Sequence, residues 1–508
     1  MRGCDDTTRI MKQLLRIALT AGILSSAAQA ADYLVTVPAG TASDAEWSAA
    51  ADALATKHGG VRANWSGKAE DLLPLLKEHK PRWLAIVGKP ETFDPAFVRA
   101  LNRVTRQIDE DPWGDVRWGL ITGASAADAK RIIDTKEPLV IERGLTTTGV
   151  DMSLLKSGVT LSDGAKGQWT DKLAGAKPEN HQWDEKAAPE GTVGLFAKAW
   201  NETKPQLLVS SSHATQYNLE MPFGLGLIAS FDGKLHVLTK DQRNTFAKFL
   251  GGAMFKGDAT KLGEWLRDIK PPVLEAQPEV PKVWVAAGNC LIGDARKTSN
   301  SMVVSALSAG GVRQFVGYVV PTWFGRGGWG VLEMWQGNRG AMSLADAMFL
   351  NQNKVIDETM RRFPKAMDVV FDSDDIEVGL RDPKFGKQLQ ALEQSGVKVE
   401  KDLVGLVHDR DVVALWGDPK WEATFKPETG RAFKTDWSRD ADGSQVLKIE
   451  SSKDLETEVT CFLPERVKAP KLEGPVGTTD DAVVADDFLL FRKLKLKAGE
   501  PLVFHVRG

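Results

Sequence analysis

Residues 207–214 read LLVSSSHA and residues 283–290 read VWVAAGNC, and this pair of stretches decides the fold. Each begins with an apolar run, 207–210 or 283–286, and continues through small or polar residues to a reactive side chain, His213 or Cys290. Consecutive apolar residues are typical of strands that are covered on both faces, so each run predicts a buried strand. In a parallel sheet the carboxyl ends of neighbouring strands meet at one edge. We therefore expect His213 and Cys290 to lie together at that edge.

Strand-like and helix-like segments alternate along residues 31–425. The other apolar runs that predict strands lie at residues 33–37, 83–87, 116–122 and 315–320. Apolar periodicity predicts helices at residues 44–58, 71–79, 125–133 and 193–204. Ser43 is followed by Glu46 three residues later, which predicts a capping box for the first of these helices. The alternation predicts an α/β fold with an open, mostly parallel sheet and flanking helices.

Residues 227–281 interrupt this alternation and predict an insertion in the sheet. Asp232-Gly233 between two short apolar runs is typical of a hairpin turn. Helical patterns follow at residues 241–250 and 260–269, and a proline-rich linker leads back to the sheet. The insertion is therefore expected to be a hairpin and two helices that cover the cleft beside His213 or offer a site for self-cleavage.

From about residue 426 the pattern changes to short strands separated by turn residues. Strand patterns at residues 445–450, 456–462, 488–496 and 502–506 predict a small β-sandwich. Cys461 falls in one of them, which predicts a buried and inert thiol. The predicted organisation is a signal peptide over residues 1–30, an α/β domain over 31–425 and a β-sandwich domain over 426–508.

Composition excludes several classes of protein. The 508 residues include 42% hydrophobic and 26% charged residues, which is ordinary for a folded protein and unlike a disordered chain. The formal net charge of −3 gives no electrostatic reason to expect nucleic acid as a partner. Three cysteines, Cys4, Cys290 and Cys461, are too few for a disulfide framework.

The N-terminal segment resembles a secretory signal. Lys12 and Arg16 precede a short apolar run at residues 17–24, and Ala28-Gln29-Ala30 is typical of a cleavage site. A first core helix is the alternative interpretation. We expect a mature chain that begins near Ala31 in an extracytoplasmic compartment, without a lipid anchor or a transmembrane segment.

His213 and Cys290 form a candidate pair of base and nucleophile. The thiolate is the attacking form of cysteine, and a nearby imidazole favours it. Each residue alone is more often structural, because a cysteine after an apolar strand is usually a small buried side chain. Their matched context, in a chain that is poor in cysteine, makes a catalytic role about as expected as a structural one.

The order of these blocks resembles the gingipain-type cysteine peptidases, which are related to caspases and legumains. Those enzymes carry a His-Gly after one strand and an Ala-Cys after the next. The other stretches that agree in order are residues 115–119, 125–133, 301–312, 315–323 and Leu415-Trp416-Gly417-Asp418-Pro419, followed by a β-sandwich. The resemblance covers residues 31–508, and its specificity lies in the order of all the blocks together.

The resemblance implies a caspase/gingipain-like sheet and a role for each matched residue. Cys290 would be the nucleophile, and His213 the general base or acid that serves the leaving amine. The backbone N–H groups of Ala214 and Cys290 would form the oxyanion hole. Asp111 and Trp323 would bind the side chain before the scissile bond, with a preference for Arg or Lys. The implied partner is a protein or peptide substrate, and no cofactor is implied.

Two departures from the family pattern favour an alternative, a catalytically inactive binding or scaffold protein that keeps the fold. Ala214 stands where the family has glycine, and Asn289 stands where it has alanine. An alanine that had to adopt positive φ would be strained. The distance from His213 to Cys290, 290 − 213 = 77 positions, is also longer than a compact family member needs.

Other motifs give weaker signals. The glycine-rich stretch at residues 324–330 lacks the residues of a phosphate-binding loop, so we interpret it as a flexible loop in the substrate wall. Asp372–Asp375 lacks the glycine and glutamate of a calcium loop and is interpreted as a solvated acidic turn. The seven histidines have no zinc-binding spacing, so the sequence predicts no metal site.

Overall fold

The structure is a computed structural model that describes residues 32–250 and 259–508. The predicted signal peptide over residues 1–30, which contains Cys4, lies outside the described residues. Within the two described ranges, no helix combines the length and the apolar character needed to cross a lipid bilayer.

The elements of the described chain follow one another in this order. The strands are β1 (Tyr33–Pro38), β2 (Val61–Trp65), β3 (Trp83–Val87), β4 (Arg117–Ile121), β5 (Leu139–Ile141), β6 (Arg143–Thr146), β7 (Ser157–Leu161), β8 (Gln168–Lys172), β9 (Glu179–Gln182), β10 (Leu207–Ser210), β11 (Ala214–Thr215), β12 (Asn218–Glu220), β13 (Leu227–Phe231), β14 (Lys234–Leu238), β15 (Lys282–Ala286), β16 (Val312–Tyr318), β17 (Val413–Gly417), β18 (Ala423–Phe425), β19 (Phe433–Arg439), β20 (Gln445–Ser451), β21 (Leu455–Phe462), β22 (Lys471–Glu473), β23 (Ala482–Val484), β24 (Phe488–Leu496) and β25 (Leu502–Arg507). The α-helices are α1 (Ala39–Ala42), α2 (Ala45–His58), α3 (Leu73–His79), α4 (Pro95–Val104), α5 (Ala126–Asp134), α6 (Thr192–Thr203), α7 (Lys240–Leu250), α8 (Ala259–Ile269), α9 (Met302–Ser308), α10 (Arg326–Gly337), α11 (Leu344–Arg362), α12 (Ile376–Leu380), α13 (Pro383–Gln394) and α14 (Lys401–Asp409).

A twelve-stranded sheet forms the centre of the fold, in the order β2-β1-β3-β4-β17-β16-β15-β10-β6-β7-β8-β9. Strands β2, β1, β3, β4 and β17 run parallel to one another, and so do β16, β15, β10, β6 and β7. The two parallel blocks run in opposite directions, because β16 and β17 pair antiparallel. Strands β15, β16 and β17 are buried along their whole length, which agrees with the prediction of buried strands from the apolar runs at residues 283–286 and 315–320. The predicted α/β fold with a mostly parallel sheet and flanking helices is confirmed.

The start of α2 differs from its prediction. Asp44, not Ser43, is the N-cap residue, and its carboxylate accepts a hydrogen bond from the backbone N–H of Glu46 at 3.2 Å. Ser43 instead ends the short helix α1, and its hydroxyl donates to the carbonyl oxygen of Gly40. The predicted Ser43–Glu46 capping box is therefore wrong, because another helix ends at Ser43.

The insertion begins earlier than predicted. A four-stranded antiparallel sheet, in the order β11-β12-β13-β14, starts directly after His213 rather than at residue 227. The predicted turn at Asp232-Gly233 is present, and both residues have positive φ, 52° and 70°. Helices α7 and α8 follow, as predicted. Strands β11 and β12 are too short to give an apolar pattern in the sequence.

The last part of the chain forms two antiparallel sheets, β19-β20-β25-β22 and β21-β24-β23, which we call the C-terminal sheets. They share an apolar core that includes Leu447, Val459 and Phe504. Cys461 on β21 is 8% exposed, and burial raises the pKa of its thiol to about 12, which agrees with the prediction of a buried thiol. Phe488 on β24 belongs to the main apolar core, together with residues of the large sheet. The domain boundary at residues 425/426 stays a prediction.

Candidate functional site

Two neighbouring parallel strands bring His213 and Cys290 to one edge of the large sheet. Strands β10 and β15 pair in register, with Ser210 opposite Ala286. The segments that follow leave the sheet at the same edge, and both side chains line one cleft of about 770 Å³. His213 is exposed and Cys290 is half-buried, so both can meet a molecule that enters the cleft. Both residues thus line one cleft at one sheet edge, as expected, and their roles stay a prediction.

The thiol of Cys290 receives a hydrogen bond from the main chain. The backbone N–H of Thr322, which follows β16, points at Cys290 Sγ with an N–S distance of 3.3 Å. The next residue, Leu291, is buried and has a φ of 57°, which costs a non-glycine residue on the order of 1–3 kcal/mol. This sharp turn leaves Cys290 at the cleft while Leu291 enters the core.

Asn289, which stands where the family pattern has alanine, joins the segments that follow β10 and β15 through hydrogen bonds. Its buried side chain accepts a hydrogen bond from the hydroxyl of Ser210 and donates one to the carbonyl oxygen of Ser212. The indole N–H of Trp284 donates to the same Ser210 hydroxyl at 2.8 Å. Because Ser212 directly precedes His213, this network fixes the histidine segment relative to the cysteine segment. This role was not predicted from the sequence, although the asparagine directly before the cysteine could have indicated it.

Ala214, which stands where the family pattern has glycine, has no strain in its backbone. It is absent from the residues with positive φ in the described chain, so its side chain is accommodated without a left-handed backbone. In the hairpin of β11 and β12, the backbone N–H of Glu220 donates to the carbonyl oxygen of His213 at 2.9 Å. The next pair, Ala214 and Leu219, is therefore of the non-hydrogen-bonded type, and the N–H of Ala214 points away from β12.

Two glycines allow close packing around the cysteine segment. A Cβ on Gly288 would collide with the hydroxyl of Ser211 and would lie 3.1 Å from the indole nitrogen of Trp329. A Cβ on Gly328 would collide with the carbonyl oxygen of Ala287. The stretch at residues 324–330 is thus mostly the first turn of α10, packed against the cysteine segment. The prediction of a flexible loop there is wrong, because its glycines serve close packing.

The insertion forms one wall of the cleft. Phe223, which lines this wall, has a φ of 60° and is 51% exposed. The neighbouring charges are paired: Arg243 binds the carboxylate of Glu220 at 2.8 and 3.1 Å, and Lys240 lies 2.6 Å from Glu185. An exposed aromatic side chain beside neutralised charges offers an apolar surface to a ligand.

Asp163 is a cleft residue that sequence reasoning missed. It follows β7, whose carboxyl end lies at the same sheet edge as those of β10 and β15. Its exposed carboxylate accepts a hydrogen bond from the hydroxyl of Thr148, and no basic side chain of the described chain forms an ion pair with it. The sequence signal was an acidic residue two positions after a short strand, which is a weak pattern.

The structure does not bring Asp111 or Trp323 into the cleft lining. Asp111 lies in the loop before β4, where its carboxylate accepts a hydrogen bond from the backbone N–H of Trp113 at 2.9 Å. Trp323 packs against an apolar cluster around α14, with its ring 6.3 Å from that of His408. Only its neighbour Thr322 reaches the cleft.

The acidic run at residues 372–375 is bound by arginines. Asp372 lies 2.9 Å from Arg103, and Asp374 lies 2.9 Å from Arg99 and 2.8 Å from Arg296. These contacts anchor the run to α4 and to the segment after Cys290. Asp372 and Asp374 thus pair with guanidinium groups while their side chains stay exposed to solvent, and the exposed Asp375 caps α12, which is compatible with the solvated turn that the sequence predicts.

The cleft therefore combines a thiol that receives a main-chain N–H, an exposed imidazole and a carboxylate without an ion-pair partner in the described chain. This set of groups suits nucleophilic attack on a carbonyl compound that carries a basic group. No model of a protein family, no curated protein and no solved structure matches the chain.

Proposed function

We propose that this protein is an extracytoplasmic cysteine endopeptidase of the caspase/gingipain type, which hydrolyses peptide bonds through Cys290 and His213. The observation that carries the proposal is the shared cleft, in which the Sγ atom of Cys290 accepts a hydrogen bond from Thr322 and His213 lies within the same lining. The signal-like pattern at residues 11–31 supports the compartment.

Acylation would use four groups of the cleft. The thiolate of Cys290 attacks the carbonyl carbon of the peptide, a C–S bond forms, and the carbonyl oxygen gains the negative charge. The backbone N–H groups of Cys290 and Ala214 are the candidate donors to that oxygen. His213, which carries the proton that the Cys290 thiol gave up, passes it to the departing amine as the carbonyl re-forms and the C–N bond breaks, which leaves a thioester on Cys290.

Deacylation would reverse the role of the imidazole. His213, now neutral, takes a proton from a water molecule whose oxygen attacks the thioester carbonyl. The C–S bond breaks, the thiolate of Cys290 returns, and the carboxylic acid that forms gives its proton to solvent and leaves the cleft as a carboxylate. The Asn289 network supports both steps, because it holds the histidine segment in place without a reorganisation cost at each step.

Alkylation by iodoacetamide at pH 7 tests the pair. We expect Cys290 to react at least about 10-fold faster than an ordinary exposed thiol, since a free thiol is only a few per cent thiolate at that pH. His213→Ala is expected to remove this advantage. The buried Cys461 serves as the internal control, which should react only after unfolding. A slow, ordinary Cys290 whose rate His213→Ala leaves unchanged would contradict the pair and favour the scaffold alternative.

A preference for Arg or Lys before the scissile bond is proposed to depend on Asp163. A charge-assisted hydrogen bond contributes about 1.5–3 kcal/mol, so Asp163→Asn should lower kcat/KM for Arg and Lys reporters about 10- to 100-fold. Reporters that end in Ala or Leu should change little. Asp111→Asn tests the assignment that the family resemblance implies. Loss of the basic preference in Asp111→Asn, with Asp163→Asn unaffected, would reverse our assignment.

A further inference from the structure

The loop before β4 gathers three carboxylates outside the cleft. One oxygen atom from each of Asp109, Asp111 and Asp115 lies within 4.8 Å of the others. Asp109 and Asp111 are half-buried, and Asp115 is only 2% exposed. Like charges at this spacing repel one another strongly in a partly buried setting.

The most buried of these carboxylates is not satisfied by the protein. The Oδ2 atom of Asp115 is buried and has no hydrogen-bond partner. The nearby guanidinium of Arg466 donates to the backbone carbonyl oxygen of Asp115 rather than to its carboxylate, and pairs with Asp486 at 3.1 Å. A buried carboxylate oxygen without a partner costs free energy unless a proton or a cation occupies the site.

Further acidic residues face the loop from the C-terminal sheets. Asp487 is 1% exposed, and neither of its carboxylate oxygens has a hydrogen-bond partner, although Arg117 and Arg466 lie 3.8 Å away. Because acidic side chains outnumber the nearby arginines, an added positive charge would reduce the electrostatic repulsion in this region.

We propose that Asp109, Asp111 and Asp115 bind a calcium ion, which fixes the loop before β4 against the C-terminal sheets. Carboxylate oxygens are the ligands that Ca²⁺ prefers, and two ligands on opposite sides of one Ca²⁺ are about 5 Å apart. The cluster contains no histidine or cysteine, so it does not suit zinc. Asp109 also lines a cavity of about 470 Å³ together with Asp486 and basic residues such as Arg466, whereas Asp111 and Asp115 lie outside this lining.

The contacts of the loop explain what the ion would stabilise. The ring of Trp113 packs on that of Phe488 at a centroid distance of 6.2 Å, and Arg466 holds the carbonyl oxygen of Asp115. Both contacts join the loop to residues of the C-terminal part. A bound cation would remove the repulsion among the carboxylates beneath these contacts. The proposed site is separate from the cleft, so it does not depend on the proposed peptidase activity.

A second carboxylate cluster provides a matched control. Asp171, Glu179 and His181 also bring one ligand atom each within 4.8 Å, but the imidazole of His181 lies 2.8 Å from Asp171 and satisfies it. This group carries no buried unpartnered carboxylate oxygen. We therefore expect it to bind calcium much more weakly than the first cluster.

Terbium luminescence in the full chain tests the site, since Trp113 stands two residues from Asp111 and can sensitise a bound Tb³⁺ ion. After removal of metal with EDTA, we expect saturable emission that Ca²⁺ displaces. Asp109→Asn and Asp111→Asn should each weaken Tb³⁺ binding at least about 10-fold, whereas Asp171→Asn should not. No saturable emission, or emission that only Asp171→Asn removes, would overturn the proposal.

Thermal unfolding provides an independent readout. Calcium should raise the Tm of the wild-type chain by about 2–4 °C. Asp111→Asn should have a higher Tm than the wild type in EDTA, because it removes repulsion, and should gain nothing from calcium. A wild-type Tm that does not respond to calcium would mean that the cluster holds protons instead, and would overturn the calcium site.

Discussion

Replacing Cys290 by alanine is expected to abolish peptide hydrolysis, with a loss of turnover of at least about 10⁴-fold. The proposed reaction passes through a bond between the substrate and the sulfur atom, so alanine leaves no group to form it. The cleft would keep its shape, because Cys290 is half-buried and its main-chain turn depends on Leu291 and Gly288. Substrate binding should therefore survive the loss of turnover.

The measurement uses peptide reporters that end in Arg, Lys or Asp, with kcat and KM determined separately. Cys461→Ala is the matched control, since that thiol is buried between the C-terminal sheets and does not reach the cleft. It should keep the wild-type turnover. Full activity in Cys290→Ala would show that another group is the nucleophile, and it would reject the proposed mechanism.

The partner of the thiol is tested in the same assay. His213→Ala should lower kcat about 10²- to 10⁴-fold, which is the usual contribution of a general acid and base. The double variant should be no slower than Cys290→Ala alone, because two residues that act as a unit have non-additive effects. Losses that multiply in the double variant would mean that the two residues act independently.

The sequence was most informative where a strand is buried on both faces. Runs such as residues 83–87 and 207–210 became strands within those bounds, because continuous apolar residues have few other stable placements. The strands β8 and β9 escaped prediction, since they lie at the edge of the sheet and carry mainly polar residues. The reversal of direction between β16 and β17 escaped as well, because strand direction leaves no trace in apolar periodicity.

The candidate site was predictable only in part, for a related reason. His213 and Cys290 could be placed together because each directly follows a predicted strand of one parallel block. The carboxylate that lines the cleft could not be predicted in this way. Asp163 follows a short strand that mixes apolar and polar residues, and Asp111 lies in a loop that packs against the C-terminal sheets. Which carboxylate faces a cleft is decided by such long-range packing. The Asn289 network likewise depends on two segments that meet only in the folded chain.

The second prediction with a large effect concerns the stability that the carboxylate of Asp418 gives to the fold. Asp418 follows β17 in the Gly417-Asp418-Pro419 segment. Its carboxylate is fully buried and accepts hydrogen bonds from the hydroxyl of Tyr33 at 2.7 Å and the ammonium of Lys57 at 2.9 Å. The Nε2 atom of His58 lies 2.8 Å from the same carboxylate. Burial raises the pKa of Asp418, but His58 and Lys57 outweigh burial and lower it to about 2.

We expect Asp418→Ala to lower the free energy of unfolding by about 3–5 kcal/mol at pH 7, because it leaves Lys57 and His58 facing a buried gap. The folded-state pKa lies below that of an unfolded aspartate, so the carboxylate stabilises the fold fully above about pH 4. That contribution is lost as pH falls from about 4 through about 2, and the difference between wild type and variant should shrink there.

Urea unfolding at pH 7 and at pH 3 measures this difference in the free energy of unfolding. Asp134→Ala is the control, since the exposed Asp134–Lys130 pair should contribute at most about 1 kcal/mol. A difference that is absent at pH 7, or that grows toward pH 3, would contradict the stabilising role of Asp418 and leave the contact between β17 and α2 to apolar packing.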